Sequence, residues 1–278
     1  MMRFLSDDAV ARLRDAVEQP DLTGTRYELL RELGRGGMGI VYEVHDRELE
    51  RSVAMKVVAE EWGAEARTIA RLEHPGIVPI HDAGVLPDGR LYYTMKLVRG
   101  VRLDAWAKEE HPLTERLRLF ARICEPVAFA HANSVVHRDL KPENVMVGEF
   151  GAVLVMDWGV AHVAGTPGYM APEAERSVRS DVFALGAILR FLLKDVRVPR
   201  MLEAVMARAM AADPMARYGD ARELAEEVLR HLDGEPVAAY RENVFEQAGR
   251  WLQRYRALVV LVLAYLVMRV IVFFWMRL

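Results

Sequence analysis

The chain has 278 residues, of which 52% are apolar and 28% are charged, and its formal net charge is -3. This length accommodates one or two domains with a buried core. The slightly acidic balance gives no basic surface of the kind that binds nucleic acid, so nucleic acid is excluded as a partner. The lone cysteine, Cys124, excludes an intramolecular disulfide and fits a reducing compartment.

The first hundred residues predict one helix followed by a strand-rich region. Residues 6–18 have helical period with Ser6 as N-cap, and Pro20 and Gly24 then break the chain. Residues 27–58 read as three strands, because apolar and polar side chains alternate in "IVYEV" and "VAMKV". Further elements are a helix at 64–73 and strands within 76–85 and 90–98.

Beyond Gly100 the pattern becomes mainly helical. Short strands are expected within 135–147 and 152–159, joined by loops. Helices are expected at 103–110, 114–132, 181–193, 201–212 and 220–232. Strands first and helices afterwards predict an α+β protein with two unlike lobes.

Three glycines, Gly34, Gly36 and Gly39, are spaced as G-x-G-x-x-G in "GRGGMGIV". A dinucleotide-binding fold would require a helix directly after the third glycine, whereas "IVYEV" continues as a strand. A glycine-rich hairpin suits the covering of phosphates, because backbone amides can approach closely where no Cβ intervenes. The motif alone leaves phosphate binding and a plain hairpin turn both open.

A lysine, Lys56, interrupts the apolar strand "VAMKVV", and Glu65 follows it nine residues later on the expected helix. The pair suits a buried lysine with its counter-ion, although an isolated strand lysine can also reach the surface along its apolar stem.

Charged and amide side chains cluster in "HRDLKPEN", residues 137–144, and Asp157 follows in "MDWG". Short apolar strands flank both stretches. A polar surface turn would not explain why Asp139, Lys141, Asn144 and Asp157 all fall beside such strands, so these residues are candidates for chemistry.

From about Tyr27 to Leu232 the chain resembles the bacterial Hanks-type (eukaryotic-like) protein serine/threonine kinases. The resemblance is carried by seven motifs in the family's order: "GRGGMGIV", "VAMK", "HRDLKPEN", "DWG", "GTPGYMAPE", "SDVFALG" and "DPMARY". It implies the two-lobed protein-kinase fold, with an antiparallel-sheet N-lobe and a helical C-lobe. It also implies phosphoryl transfer from ATP, with Mg²⁺, to serine or threonine hydroxyls of protein substrates.

The resemblance assigns roles residue by residue. For catalysis, Asp139 would accept or orient the substrate hydroxyl proton, Lys141 would steady the γ-phosphate, and Thr166 would bridge these two residues. For magnesium, the ligands would be Asn144 and Asp157. For ATP, the resemblance implies that Gly34, Gly36 and Gly39 form a glycine-rich loop over the phosphates, and that Lys56 binds the phosphates with Glu65 as its partner. Four apolar residues would surround adenine: Val41, Ala54, Met95 and Met146. The backbone of Lys96 and Val98 would contact the adenine edge.

Structural roles are implied for three further residues. Glu173 and Arg217 would form a buried ion pair, and Asp181 would brace the catalytic loop from below.

The sequence departs from the family pattern in several places. Trp158 replaces the usual phenylalanine, and Lys96 stands where an acidic residue is common. The helix carrying Glu65 is shortened, and only residues 194–200 join two C-lobe helices. The stretch between Asp157 and Thr166 contains no serine, threonine or tyrosine that phosphorylation could modify. These trimmed parts leave a pseudokinase or binding scaffold as one alternative and a kinase of small molecules as another.

The C-terminal end contains a twenty-residue apolar run at 257–276, interrupted by one charge at Arg269. A helix of that length spans about 30 Å, which predicts a transmembrane helix in a lipid bilayer. The arginines at 250, 254 and 256 place the kinase on the cytoplasmic side of the cell membrane, and no external domain is expected. The alternative is a helix buried in the protein or in a homodimer.

The predicted domain boundaries follow from these patterns. They are an N-terminal helical extension at 1–26, a kinase domain at 27–234 (N-lobe 27–98, C-lobe 99–234), a juxtamembrane amphipathic helix at 235–256, and a transmembrane helix at 257–276.

Overall fold

The computed structural model describes residues 19–36, 39–58, 69–158, 167–173, 175–244, 246–247, 249, 251 and 255–275. Several predictions fall outside these residues. They are the helix at 6–18, most of the helix at 64–73 including Glu65, and Thr166 with the residues that precede it from 159.

The N-lobe is built on a five-stranded antiparallel sheet with the order β1-β2-β3-β5-β4. Its strands are β1 (Tyr27–Gly36), β2 (Gly39–Asp46), β3 (Arg51–Val58), β4 (Ile80–Val85) and β5 (Leu91–Lys96). Alternation sends one set of side chains into an apolar cluster on one face: Tyr27, Tyr42, Val44, Val53, Met55, Val57 and Leu86. The intervening residues, including Lys56, therefore lie on the opposite face of the sheet.

A close backbone approach explains one of the glycines. Gly39 begins β2 with φ of +127°, and a Cβ atom at that position would overlap the carbonyl oxygen of Val57 on β3. Only glycine fits this conformation and this contact without a shift of the backbone.

The C-lobe packs helices around a second, three-stranded sheet. The helices are α1 (Leu103–Trp106), α2 (Leu113–Ala132), α3 (Val178–Leu192), α4 (Arg200–Ala209) and α5 (Ala221–Leu232). The sheet has the order β6-β7-β8, from Gly100–Arg102, Val145–Gly148 and Val153–Val155, and 3-10 turns lie at Pro142–Asn144, Glu149–Gly151 and Pro214–Ala216. The predicted α+β fold with two unlike lobes is confirmed.

Helix α3 is the central helix of this lobe, with ten of its fifteen residues buried. It starts at a capping box in which Ser177 and Ser180 satisfy each other's backbone amides. Two predicted helices were too long: α1 ends at Trp106 rather than 110, and α4 ends at Ala209 rather than 212. In the second case Asp213 caps the turn at Pro214–Ala216, which takes the chain out of the helix.

The segment after α5 is fastened to the C-lobe. The buried carboxylate of Glu227 accepts the backbone amides of Ala238 and Ala239, each at 2.9 Å. Val237 is buried in the same core as the C-lobe helices. Residues 237–239 therefore pack as part of the folded lobe.

The last element is α6 (Arg256–Trp275), a 20-residue helix. Most of its large apolar side chains that are described, such as Val260 and Leu261, are exposed. Within the described part of the chain, no helix meets the length and apolarity needed to cross a membrane. The transmembrane helix predicted at 257–276 is therefore not supported, and the interior charge of Arg269 is a feature that opposes such a span.

Candidate active site

Lys56 lies on the face of the N-lobe sheet that looks away from the apolar cluster. It is buried, and its Nζ atom lies 3.0 Å from Oδ1 of Asp157, the residue two positions beyond β8. Nζ also lies 5.9 Å from the ring centroid of Tyr93, which is the direct partner of Lys56 in the β3–β5 register. Sequence reasoning missed Tyr93, which pairing of the two predicted strands could have found.

The strand register gathers four of the predicted ATP-site residues on this face. Val41 is paired with Lys56, and Ala54 is paired with Met95, while Ala54 and Lys56 are two positions apart on β3. Directly paired residues, and residues two apart, point to the same side of a sheet. These apolar side chains line the surface next to the buried lysine.

The remaining predicted ATP-site residues lie at the edges of this surface. Gly34 and Gly36 end β1 and face β2 in the hairpin. Lys96 ends β5, with its amide donating to the carbonyl of Pro79, and Val98 follows before β6. Met146 is half-buried on β7 of the C-lobe.

Asp139, Lys141 and Asn144 form one hydrogen-bonded group between α2 and β7. Oδ2 of the buried Asp139 accepts from Lys141 Nζ at 2.7 Å and from Asn144 Nδ2 at 3.3 Å. Asn144 Nδ2 also donates to the backbone carbonyl of Asp139 at 2.8 Å. The 3-10 turn at Pro142–Asn144 folds the chain back, so that residues five apart touch.

The donor set fits a magnesium ion held together with phosphates. Because the amide nitrogen of Asn144 is engaged by Asp139, its carbonyl oxygen is the atom left to face a cation. Asp157 supplies a carboxylate and has φ of +56°, a conformation rare outside glycine. The described residues contain no cluster of three or more His, Cys, Asp or Glu suited to a metal. Mg²⁺ in phosphate-transfer sites commonly takes one or two carboxylates, with the other ligands coming from phosphates and water.

Asp181, on α3, holds the backbone beneath Asp139. Its carboxylate accepts the amides of His137 at 2.7 Å and Arg138 at 2.9 Å, and it lies 3.0 Å from Nε2 of His131. Arg138 has φ of +76°, so these bonds secure a strained backbone next to the candidate base. The bracing contact predicted for Asp181 is present, whereas the part played by His131 was missed, since nothing near it in sequence marks it.

His137 links this loop to the segment after β8. Its Nε2 donates to the carbonyl of Met156 at 2.8 Å, so Nδ1 is the acceptor for the amide of Asp139 at 3.3 Å. Burial lowers the pKa of His137, in keeping with this neutral tautomer. Its ring packs 4.8 Å from that of Trp158, which is buried and donates from Nε1 to the carbonyl of Val155. The bulkier tryptophan is therefore accommodated as a packing residue with its polar atom satisfied.

Glu173 and Arg217 form the predicted ion pair. The guanidinium donates to both carboxylate oxygens, at 2.7 Å each, and the bonds to Arg217 hold the pKa of Glu173 below its usual range. Arg217 also donates to the carbonyls of Arg179 and Ala211, which ties the first turn of α3 to the loop after α4.

Comparison with known proteins identifies the family. A family model described as the protein kinase domain matches residues 27–212. The chain belongs to the protein kinase family. The kinase is similar to proteins named serine/threonine-protein kinase PknD. The one from Chlamydia muridarum is 33% identical over a match that covers 76% of this chain and 32% of the relative. The one from Mycobacterium tuberculosis is 34% identical over a match that covers 77% of this chain and 40% of the relative.

Both relatives are named as serine/threonine-protein kinases. The kinase spans only about a third of the length of the Chlamydia relative and two fifths of the Mycobacterium relative. The similarity therefore concerns the kinase domain, and the match does not extend to the rest of these relatives.

Proposed function

We propose that this kinase transfers the γ-phosphoryl group of ATP, with Mg²⁺, to serine or threonine hydroxyls of protein substrates. The observation that carries the proposal is that polar residues of the N-lobe and the C-lobe come together in one place. Lys56 of the N-lobe contacts Asp157, while Asp139, Lys141 and Asn144 form a hydrogen-bonded cluster in the C-lobe. The amide of Met156, next to Asp157, donates to the carbonyl of Asn144 and joins the two groups.

Nucleotide binding is assigned to the N-lobe surface. Val41, Ala54, Met95 and Met146 would enclose adenine, and the backbone of Lys96 and Val98 would meet its edge. Gly34, Gly36 and Gly39 would cover the phosphates, since a chain without Cβ atoms lets amides come close to them. Lys56 would neutralise the α- and β-phosphates, with Glu65 as its partner.

Asn144 and Asp157 would hold Mg²⁺, which, when bound with ATP, neutralises the charge that develops on the transferred phosphoryl group. Asp139 would orient the substrate hydroxyl and take its proton. Lys141, already 2.7 Å from Asp139, would keep that carboxylate in place and balance negative charge on the phosphate. Thr166 would bridge these two side chains.

The direct test is transfer of radiolabelled phosphate from ATP to myelin basic protein by the purified chain. Asp139→Asn and Asp157→Asn should each reduce transfer at least 100-fold, because each removes a charge acting on the reacting groups. Asp195→Asn, at an exposed surface position, is the matched control and should transfer phosphate normally. Circular dichroism should report the same fold for all three variants. Near-normal transfer by either site variant contradicts the assignment.

The same assay separates the two alternatives. A pseudokinase or binding scaffold would bind nucleotide without transferring phosphate to any protein. A small-molecule kinase would phosphorylate a metabolite while leaving myelin basic protein unlabelled. The motifs "GTPGYMAPE" and "DPMARY" support a peptide substrate over a small molecule, and retention of every catalytic side chain supports an enzyme over a scaffold.

The domain boundaries at 1–26, 27–234, 235–256 and 257–276 stay predictions. Attachment to a cell membrane through 257–276 rests on the apolar sequence of that stretch alone, and homodimerisation is equally a prediction. Fractionation of cells that produce the full chain or a chain ending at residue 256 tests the attachment. If the full chain stays in the supernatant after ultracentrifugation, the attachment is wrong.

A further inference from the structure

A cleft opens beside Asp139, between the loop that carries this residue and α3. It contains about 260 Å³ of space, part of it open to solvent. Residues of the catalytic loop, of the segment after residue 166 and of α3 line it, among them Arg138, Asp139, Tyr169, Arg176 and Ser180. Two arginines are thus among the residues that line a space adjoining the candidate catalytic base.

The guanidinium groups of Arg138 and Arg176 make no hydrogen bond or ion pair with any side chain or backbone group in the described ranges of the chain. Among the described residues, the contact that holds Arg138 is its backbone amide, which donates to Asp181. Arg176 is close enough to Glu173 to help lower the pKa of that carboxyl, but both oxygens of Glu173 already accept from Arg217.

The carboxylates in the cleft wall are already engaged by other donors. Asp139 accepts from Lys141 and Asn144, and Asp181 accepts two backbone amides and contacts His131. These two carboxylates of the cleft wall therefore do not pair with Arg138 or Arg176. The net character of the cleft is therefore that of a site for an anion, since guanidinium groups bind carboxylates and phosphates through paired hydrogen bonds.

The position of Arg176 is fixed from both sides. Only seven residues separate Glu173 from Asp181. Glu173 is clamped by Arg217, and Asp181 is clamped under the catalytic loop. Arg176 lies between these two held residues and is half-buried at the cleft.

We propose that Arg138 and Arg176 form a subsite that selects protein substrates with an acidic side chain close to the phosphorylated serine or threonine. The inference rests on the proposed function and adds the chemical class of its substrate. The cleft adjoins Asp139, so a substrate whose hydroxyl lies at Asp139 places neighbouring side chains within reach of both arginines. An acidic side chain there gains charge-assisted hydrogen bonds that an amide of the same size cannot match.

The experiment compares matched peptides with the full chain. One serine peptide carries a single glutamate, moved from three positions before the acceptor to three positions after it, and its partner carries glutamine at the same place. For at least one position we expect kcat/KM to favour glutamate about tenfold, mainly through KM, because the contact exists before and during transfer. Arg176→Gln should reduce this preference to about twofold, and Arg176→Lys should keep part of it.

Two further variants test whether the charge of Arg176 in particular causes the preference. Arg176→Glu should reverse the preference toward a peptide with lysine at the selected position. Arg222→Gln, an exposed arginine on α5, is the matched control and should keep the tenfold preference.

Each outcome is decisive. If all peptides are phosphorylated but glutamate and glutamine differ by less than twofold everywhere, the subsite proposal is wrong while the proposed function stands. If the preference exists but survives Arg176→Gln, the subsite lies elsewhere. If inorganic phosphate changes kcat without competing with the acidic peptide, the cleft binds a free effector anion instead. If no peptide or protein is phosphorylated, the proposed function itself fails.

Discussion

Replacement of Asp181 by asparagine tests how the catalytic loop is held. The side chain is 1% exposed, and its two oxygens receive three contacts, from the amides of His137 and Arg138 and from His131. Asparagine has the same size but only one acceptor oxygen, so its amide nitrogen must face at least one N–H donor. Each hydrogen bond to a charged group contributes about 1.5–3 kcal/mol. We therefore expect the free energy of unfolding to fall by about 3–5 kcal/mol.

Part of this loss should be offset at Arg138, because the strain of its φ of +76°, which Asp181 holds in place, can relax in the variant. A left-handed conformation costs a non-glycine residue about 1–2 kcal/mol, whereas glycine adopts it freely. In a background that carries Arg138→Gly no such strain is released, so the cost of Asp181→Asn should be larger by about 1 kcal/mol. A double-mutant cycle cancels the separate effect of glycine on the unfolded chain.

Urea denaturation followed by circular dichroism measures all four stabilities, and Asp195→Asn serves as an exposed control that should leave the midpoint unchanged. The loop should also lose catalytic geometry, so kcat in the peptide assay should fall more than KM rises. A loss below about 1 kcal/mol for Asp181→Asn, or additive effects in the cycle, would refute the idea that this carboxylate stabilises a strained loop.

Three other predictions concern separate parts of the chain. The pKa of His137 is lowered by burial, so the unfolded state takes up its proton first as the pH falls below about 6.5. The free energy of unfolding should therefore decrease from pH 6.5 towards pH 5, less steeply in His137→Gln, and an unchanged slope in that variant would contradict the assignment. Gly39→Ala should lower the free energy of unfolding by about 2 kcal/mol, because Gly39 has a positive φ and lies against the carbonyl of Val57. Gly36→Ala should be tolerated, because a Cβ atom there meets open space, and equal melting temperatures for the two variants would contradict this. Glu227→Gln should cost about 1–3 kcal/mol and speed proteolysis after residue 234, with Glu226→Gln on the exposed face as control, and equal cleavage rates for both would show that the segment is held by other contacts.

The order of the strands and helices and the location of the candidate catalytic residues were predictable from the amino-acid pattern alone. Alternation and helical period predicted the sheet-first, helix-later arrangement, because each pattern reflects the face that an element buries. The clustering of Asp139, Lys141 and Asn144 was predictable too, since these residues lie within six positions and a single turn joins them. The helix at the C-terminus was also expected, and α6 forms there, but its predicted passage through a membrane has no support from the structure.

Contacts between residues far apart in the chain could not be predicted and arise from the packing of the folded protein. Lys56 and Asp157 are 101 positions apart, and His131 and Asp181 are 50 apart, yet each pair lies 3.0 Å apart. The cleft that brings Arg176 close to Arg138 likewise has no local signature in the chain. Such contacts depend on how the lobes pack and where each loop is clamped, and the free energy that fixes them comes from burial and hydrogen bonding across the whole core. Local patterns record which face of an element is buried, but not which partner covers it.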